Sequence, residues 1–465
     1  GHYERFTSGR LTRLNNLTSG RVYESVIQNE RDGVYLGATV QVIPHVTNEI
    51  KARIYDVSEK TDADILITEI GGTIGDIEGL PFIEALRQFK DEVGSENVLF
   101  MHVTLIPFIK SAEELKTKPT QQSVAKLREI GIAPDVIVCR SEHPIDDDIK
   151  HKLSMFCNIP KQAVIQFMDM PNTIYEAPLK LHEERLDDIV CGRLGLERSQ
   201  LELIEWRNMV DRVVNPMHRV RIAVVGKYIE LQDAYKSIYE ALTHAGAAND
   251  SRVEVIRIDS ETLKNDEVAA QALGGVDGVL IPGGFGERGI EGKVNAIKYA
   301  RESNTPLFGI CLGMQVAVVE FARNVCGLEG AHSDEFDEKS PHPVIHILEE
   351  QKSVTQKGGS MRLGLYDTDL KEGSLARKLY GEALVKERHR HRYEFNQSYR
   401  EQFEKAGMIL SGTSPDGTLG EIIEIPDHPF YIAVQFHPEF LSRPTAPHPI
   451  FRGFVAAALE HRIAG

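Results

Sequence analysis

The sequence predicts an α/β protein with two doubly wound, mostly parallel domains. Both halves of the chain alternate short apolar runs with stretches whose apolar residues recur at helical spacing. This alternation is typical of a parallel sheet that is covered by helices on both faces. The 465 residues also exceed what one ordinary hydrophobic core organises. We therefore expect one domain over residues 1–198, a linker over 199–219 and a second domain over 220–465.

The first half shows this alternation between residues 63 and 170. Amphipathic stretches that begin near Pro81, Pro119 and Asp148 separate its apolar runs. Continuous apolar segments bounded by polar turns fit the interior of a parallel sheet, so we expect buried strands. The predicted strands are ADILITEI, NVLFMHVTLI, DVIVC and AVIQFM.

The linker has helical spacing over residues 201–213, and this pattern ends at Asn215 and Pro216. A residue before proline avoids the α conformation, which explains the end of the helix. A new strand, RIAVVG, begins at Arg221 and opens the second alternation. The last part differs, because GEIIEI and FYIAVQF, joined across PDHP, predict an antiparallel pair.

Charge and cysteine content restrict the possible partners. A net charge of −16 disfavours bare nucleic acid and anionic membrane surfaces through like-charge repulsion. The five cysteines form no C-x-x-C pair, which favours a reducing compartment. The sequence also has no apolar run of bilayer length and no signal-peptide core. We expect a soluble cytoplasmic protein that binds neither nucleic acid nor membrane.

Cys311 is the strongest candidate for a nucleophile. Gly309 and Gly313 flank it between an apolar strand and an apolar helix, in the G-x-Nuc-x-G spacing of a nucleophile elbow. At such a turn a thiol lies beside a helix N-terminus, whose partial positive charge favours the thiolate. The alternative is a buried structural cysteine, which is the commoner fate of a cysteine in an apolar context.

His437, Glu439 and a glycine-rich turn supply the other groups that a thiol nucleophile needs. His437 could take the thiol proton and return it to a leaving amine, while Glu439 orients the imidazole. Gly283 and Gly284 follow an apolar strand and could turn backbone N–H groups toward a developing oxyanion. Taken alone, HPE could be a solvated surface turn, and the glycines could form an ordinary turn after a strand.

The motifs PGGFG, GICLGMQ and QFHPE, in that order, resemble the class I glutamine amidotransferase domain. The resemblance implies a thioester at Cys311, release of ammonia, and an oxyanion hole made by the amides of Gly284 and Leu312. By composition alone RHRHRYEFN would be a basic surface strand, but the resemblance implies that Arg392 pairs with the carboxylate of glutamine, a task that suits an arginine fork. The implied glutamine-binding and oxyanion residues are Gly284, Leu312, Gly313, Met314, Gln315, Glu335 and Arg392.

Two segments of the first domain could hold a nucleotide. Glu69 ends the predicted strand ADILITE before the glycine turn of IGGTIGDIE, at the sheet edge where a magnesium ligand would lie. Residues 116–121, KTKPTQ, open a helix with proline in its first turn, and the lysines, hydroxyls and helix amides would suit a phosphate group. Glycines for packing and a solvated lysine pair are the alternatives.

GHYERF, GATVQVIPH, EIGGTIGDIE and KTKPTQ, with the glutaminase motifs behind them, make the whole chain resemble the CTP synthase family. The resemblance implies a P-loop-like synthetase domain in which ATP phosphorylates the uracil O4 of UTP and ammonia displaces the phosphate. It also implies Mg²⁺, inhibition by CTP, activation by GTP near Arg288 and Glu291, and a homotetramer that could form filaments. The implied UTP and CTP contacts are Asp76, Ile77, Glu78, Lys116, Thr117, Lys118, Pro119, Thr120, Gln121 and Lys152, with Glu69 at the metal.

The sequence departs from the family at its start. The N-terminal strand, the phosphate loop and an early magnesium-binding aspartate of the family are absent, and the chain opens on Gly1, so we expect further residues upstream. A molecule without them should lose CTP synthesis and keep only glutamine hydrolysis. Two alternatives stay open: a non-catalytic regulatory or filament-forming scaffold, and a glutaminase that serves another acceptor, as in GMP synthetase.

Overall fold

The computed structural model describes the chain except residues 1, 8, 10, 62, 198–200, 228, 230–231, 285, 348–360 and 465. The chain forms two compact units. We call Gly9–Leu203 the N-terminal unit, and Ile204–Gly465 with Gly1–Ser8 the C-terminal unit. The predicted domain boundary at residues 198–199 lies outside the described residues, and the C-terminal unit already includes most of the predicted linker.

The N-terminal unit contains a parallel three-stranded sheet in the order β1-β4-β5. Its apolar core includes Val124 of α4, Ile137 of β4, Leu153 of α5, and Ile106, the residue that follows β1. A small hairpin, β2-β3, precedes helix α4. The elements are α1 (Ser19–Arg31), α2 (Thr47–Lys60), α3 (Leu80–Val93), β1 (Met101–Leu105), β2 (Phe108–Ile109), β3 (Glu114–Leu115), α4 (Lys118–Glu129), β4 (Val136–Ser141), α5 (Asp147–Cys157), β5 (Val164–Met168), α6 (Ala177–Glu183) and α7 (Leu186–Arg193).

The predicted strand ADILITE was wrong. Residues 63–69 adopt neither helix nor strand, and Ile67 is 84% exposed. A strand needs a neighbour for its backbone hydrogen bonds. Among the described residues, β1 pairs on one side only, with β4, and residues 63–69 pair with no strand. Glu69 therefore lies in exposed, irregular chain instead of at the end of a strand.

The C-terminal unit is built on a nine-stranded sheet in the order β13-β12-β15-β16-β17-β9-β8-β6-β7. The five strands from β17 to β7 are parallel, and β16 pairs with β17 in antiparallel fashion, so the predicted antiparallel pair is confirmed. The elements are α8 (Ile204–Val214), β6 (His218–Gly226), α9 (Lys236–Ala248), β7 (Ser251–Asp259), α10 (Asp266–Leu273), β8 (Gly278–Ile281), α11 (Ile290–Glu302), β9 (Leu307–Ile310), α12 (Leu312–Asn324), β10 (His332–Ser333), β11 (Pro343–Ile347), β12 (Arg362–Leu370), α13 (Leu375–Tyr380), β13 (Leu384–His391), β14 (Tyr393–Phe395), α14 (Arg400–Lys405), β15 (Ile409–Thr413), β16 (Gly420–Glu424), β17 (Tyr431–Val434) and α15 (Pro449–Ala464).

Helices cover both faces of this sheet, as the doubly wound pattern predicts. Alternate residues of β6 point to opposite faces, so Ala223 and Val225 join one core while Ile222 and Val224 join the other. Helices α11 and α12 line the first core, and α9 and α15 line the second. Within the described part of the chain, no helix is long and apolar enough to cross a membrane.

Candidate active site

Cys311 lies at the turn between β9 and α12, where the residues two positions before and after it have no room for a side chain. Its backbone has φ 53° and ψ −105°, a conformation that L residues rarely adopt. A Cβ at Gly313 would lie 2.2 Å from the carbonyl oxygen of Ile281, and a Cβ at Gly309 would lie 2.8 Å from the Cβ of Ala433. The two glycines therefore permit the sharp turn that presents Cys311 at the end of the parallel strands.

His437 follows β17, the neighbour of β9, and lies between Glu439 and Cys311. Its Nδ1 is 2.8 Å from Oε1 of Glu439. Burial would lower the pKa of His437, but the negative charges of Glu439 and Cys311 and hydrogen bonds to both raise it well above its ordinary value. The backbone N–H of His437 also donates to the backbone carbonyl of Arg388 at 2.7 Å. The arrangement can accept a thiol proton and hold it on the imidazole.

The glycine-rich turn after β8 faces the thiol and the imidazole. A Cβ at Gly283 would lie 3.1 Å from Cε1 of His437 and 3.6 Å from the Cβ of Cys311. The fully buried Lys293 donates to the carbonyl of Pro282, the residue before this turn, at 3.2 Å. Burial lowers the pKa of Lys293 to about 7. The turn thus approaches the site closely enough for its amides to contact a substrate oxygen.

Gln315 is buried in the first turns of α12 with three other residues that the sequence singled out, Leu312, Gly313 and Met314. Its Nε2 donates to the carbonyl of Tyr393 at 3.1 Å and to Oε1 of Gln435 at 3.2 Å. Gln435 in turn donates to Sγ of Cys311 at 3.8 Å. Side-chain amides therefore connect α12 with the strand that leads to His437.

Glu335 and Arg392 interact electrostatically, although 57 positions of sequence separate their numbers. Burial raises the pKa of Glu335, while the positive charges of Lys227 and Arg392 oppose that rise. Burial also lowers the pKa of Lys227 to about 8. A half-buried carboxylate beside cations is suited to an amino acid, which carries one charge of each sign.

Sequence reasoning missed three side chains of this neighbourhood. Gln435 lies two residues before His437, within the QFHPE motif, so its position carried a usable signal. Lys293 and Lys227 carried none, because a lysine in an amphipathic helix or after a strand is normally solvated. Only the packing of the C-terminal unit buries them.

The predicted phosphate segment opens helix α4, with Lys118 as its first residue and Pro119 in the first turn, as expected. Lys116 forms an ion pair with Glu114, and the charge of Lys152 also lowers the pKa of that carboxyl, after the larger effect of Lys116. The charges of Lys116 and Lys152 therefore both act on Glu114.

The hydroxyls of this segment form hydrogen bonds within the protein. Thr117 and Thr120 are buried, and Thr120 donates to Oγ1 of Thr104 at 3.1 Å. Nε2 of Gln121 donates to Oγ1 of Thr117 at 3.0 Å. The segment is therefore held in place before any ligand binds.

The remaining predicted residues lie on exposed turns. Asp76, Ile77 and Glu78 follow the glycine turn, and Ile77 is 81% exposed. Among the described residues, no three His, Cys, Asp or Glu side chains converge as metal ligands, and Glu69 is exposed.

Arg288 and Glu291 flank the start of α11. The guanidinium of Arg288 pairs with Glu261 at 3.3 Å and donates to the carbonyl of Lys227 at 2.9 Å. Glu291 accepts two hydrogen bonds from Arg323 at 3.0 Å. Both residues take part in exposed ion pairs, which are weak and exchangeable.

The fold and the site define a class I glutamine amidotransferase joined to a second α/β unit. Residues 230–457 match the family model described as glutamine amidotransferase class-I, and residues 1–196 match the CTP synthase N-terminus. The CTP synthase of Halalkalibacterium halodurans is 55% identical over 460 residues, which are 99% of this chain and 86% of the relative. That of Carboxydothermus hydrogenoformans is 57% identical over 460 residues with the same coverage. The chain belongs to the CTP synthase family.

A solved structure is also similar. The glutaminase domain of the Trypanosoma brucei CTPS with bound acivicin is 43% identical, covers 52% of this chain and 94% of that chain, and has a TM-score of 0.49. The match of the N-terminal residues to the CTP synthase N-terminus decides against a glutaminase that serves another acceptor.

Proposed function

We propose that Cys311, His437 and Glu439 hydrolyse glutamine in this chain and that the ammonia aminates UTP. As a member of its family, the chain is a glutamine-hydrolysing, ATP-dependent C–N ligase that forms CTP from UTP. The observation that carries the assignment of the three residues is the position of His437, hydrogen-bonded to Glu439 at 2.8 Å and to Cys311.

In the proposed hydrolysis, the thiolate of Cys311 attacks the side-chain amide carbon of glutamine, and negative charge develops on the amide oxygen. The amides of Gly284 and Leu312 would stabilise this charge, and one such donor contributes about 2.7–4 kcal/mol. His437 passes the thiol proton to the leaving nitrogen, so ammonia departs and a thioester remains. Water then loses a proton to His437, attacks the thioester and releases glutamate.

The proposed substrate contacts use the charges beside the thiol. Arg392 would bind the α-carboxylate of glutamine through its guanidinium fork, and Glu335 would accept a hydrogen bond from the α-ammonium group. Gln315, Gly313 and Met314 would line the side-chain amide. The nearness of Glu335 and Arg392 supports this division of roles.

For the synthetase reaction, we propose that Lys116–Gln121, Lys152 and Asp76–Glu78 contact UTP or the inhibitor CTP. The lysines and the N-terminus of α4 support a site for phosphate groups. Mg²⁺ usually binds one or two carboxylates together with substrate phosphates, so Glu69 as a ligand belongs to this proposal.

Regulation and assembly belong to the same proposal. GTP would contact the loop with Arg288 and Glu291, whose weak ion pairs could exchange for a ligand. A homotetramer, possible filaments and a cytoplasmic location follow the family resemblance, and the five free cysteines support a reducing compartment.

The test compares Cys311→Ala with Cys326→Ala. Burial raises the pKa of Cys326 to about 11, so its thiol is inert and makes a matched control. In the full-length protein, which includes the upstream residues expected from the sequence, Cys311→Ala should abolish ammonia release from glutamine and leave CTP formation from added ammonia intact, whereas Cys326→Ala should change neither. Glutamine hydrolysis by Cys311→Ala would refute the assignment, and a full-length wild type that forms CTP from neither nitrogen source would favour the scaffold.

A further inference from the structure

Next to the Cys311 site, five charged or titratable side chains form a buried group that the proposed hydrolysis does not use. Both of its histidines and both of its carboxylates are at most 3% exposed. Burying a charge is costly unless it is paired, so the protonation states of this group matter. We call it the Arg362 cluster, and its members are Arg362 of β12, His389 and His391 of β13, Glu394 of β14 and Glu421 of β16.

The cluster is linked to the site through the backbone of β13. Side chains alternate along a strand, so the two histidines of β13 point into the cluster while Arg390, the residue between them, points away. The backbone carbonyl of Arg388 accepts a hydrogen bond from the backbone N–H of His437 at 2.7 Å. The backbone carbonyl of Arg390 lies 4.0 Å from Sγ of Cys311. A shift of β13 would therefore displace both the base and the thiol.

The charges of the cluster are one guanidinium and two carboxyl groups. Arg362 Nη1 lies 2.5 Å from Oε1 of Glu421 but 3.5 Å from Oε1 of Glu394. Burial and the neighbouring charge of Glu421 raise the pKa of Glu394 well above its ordinary value, against the effect of Arg362. Burial raises the pKa of Glu421 as well, but Arg362 opposes that rise from the shorter distance. We therefore assign the charge that balances Arg362 to Glu421, and Glu394 has no cation of its own within the cluster.

The contacts of the two histidines also favour a protonated Glu394. Nδ1 of His389 lies 3.5 Å from Nη1 of Arg362, which can only donate, and 3.6 Å from Oε2 of Glu421, so we assign this nitrogen as the acceptor for the closer donor. The contact of 2.9 Å between Nδ1 of His389 and Nε2 of His391 must then be donated by His391. Burial lowers the pKa of His391 to about 3, so the ring is neutral and its Nδ1 has no proton. That nitrogen and Oε1 of Glu394 are both buried without a hydrogen bond, and they lie 3.2 Å apart, so a proton on Glu394 would make this contact favourable.

Charge on Cys311 gives a reason for a neutral Glu394. A negative Cys311 is among the causes that raise the pKa of Glu394. The effect is reciprocal, so a negative Glu394 would disfavour the thiolate. We propose that Glu394 is a neutral carboxylic acid that holds β13, and with it His437 and Cys311, while Glu421 alone balances Arg362. Glu394 is then a positioning residue for glutamine hydrolysis, an inference that rests on the proposed role of Cys311.

The test uses substitutions that separate charge from shape. We expect Glu394→Gln, which matches the neutral acid in size, to keep kcat for glutamine hydrolysis within about threefold of the wild type, and Glu394→Ala to lower kcat by about tenfold with little change in KM. Glu421→Gln leaves Arg362 unbalanced, so Glu394 should ionise in its place. The rate of Cys311 alkylation by iodoacetamide, followed by mass spectrometry of the Cys311 peptide, should then reach half its maximum at a higher pH.

Glu424→Gln is the matched control. It removes another buried carboxylate of β16, one that instead accepts the N–H groups of Leu375 and Ala376 at the start of α13. We expect it to change thermal stability but neither kcat nor the alkylation profile.

Three results would overturn the proposal. Glu394→Gln could fail to fold by circular dichroism, it could lose kcat as Glu394→Ala does, or its alkylation could move to lower pH, as expected if an ionised Glu394 were removed. The alkylation profile does not depend on turnover, so these outcomes stay distinct from a failure of Cys311 as the nucleophile, which only Cys311→Ala reports.

Discussion

Replacing Glu439 by glutamine tests how much of the site depends on one charge. The side chain keeps its size, and its amide oxygen can still accept the hydrogen bond from Nδ1 of His437, which now spans 2.8 Å. The charge is lost. Hydrogen bonds to charged groups contribute about 1.5–3 kcal/mol, which corresponds to a decrease in kcat/KM of about 10- to 150-fold.

The substitution should also move the pH profile in a defined direction. The charge of Glu439 is the largest of the effects that raise the pKa of His437 against burial. A raised pKa keeps the imidazolium of His437 present to higher pH. The stabilisation that the imidazolium gains from Glu439 is lost as pH rises through the pKa of His437 in the folded protein. Without Glu439 the pKa of His437 falls, so the alkaline limb of kcat/KM for glutamine hydrolysis should move to lower pH.

Ammonia release from glutamine, measured between pH 6 and 10, checks both expectations. Glu387→Gln is the control, because Glu387 is another buried carboxylate paired with a histidine, His448, at 2.9 Å. It should lower thermal stability and leave the alkaline limb in place. An unmoved limb in Glu439→Gln, or the same displacement in Glu387→Gln, would refute the reasoning.

Three further substitutions test other parts of the molecule. Arg392→Lys should raise KM for glutamine by about tenfold, since a lysine cannot form the two parallel hydrogen bonds of a guanidinium, and unchanged KM would exclude Arg392 from the glutamine site. Lys118→Ala should impair use of UTP with ammonia and with glutamine alike, measured as CTP formed at increasing UTP; a defect with glutamine alone would contradict that role. Gly313→Ala should lower the free energy of unfolding by about 1–3 kcal/mol, because the new Cβ would lie 2.2 Å from the carbonyl oxygen of Ile281. Gly20→Ala should not lower it, because no atom lies within 4 Å of a Cβ at Gly20. Equal effects of the two substitutions in thermal unfolding would contradict the steric argument.

The elements of the C-terminal unit could be predicted because their signals are local. Apolar periodicity placed the parallel strands and their helices, and turn residues placed the hairpin of β16 and β17. The same reasoning failed for residues 63–69, whose composition suits a strand. Composition reports whether a segment tolerates a buried strand, but a strand exists only where a neighbour accepts its hydrogen bonds.

The basic segment RHRHRYEFN contains a period-two pattern that the sequence-based prediction did not use. Its composition predicted a surface strand, yet its arginines and histidines alternate with a period of two, which is typical of a half-buried strand. The structure buries His389 and His391 on one face. Period, which reflects the geometry of the strand, was a better guide than average polarity.

The sequence by itself determined the elbow at Cys311, since Gly309 and Gly313 act through sterics within a few residues, and it determined the presence of His437 and Glu439 on one short segment. Only the tertiary structure decided which charges meet. Arg362 and Glu421 are 59 positions apart, and Lys293 lies 11 positions from the carbonyl that it contacts. Their protonation states depend on burial and on partners from other elements, and neither exists before the sheet is assembled.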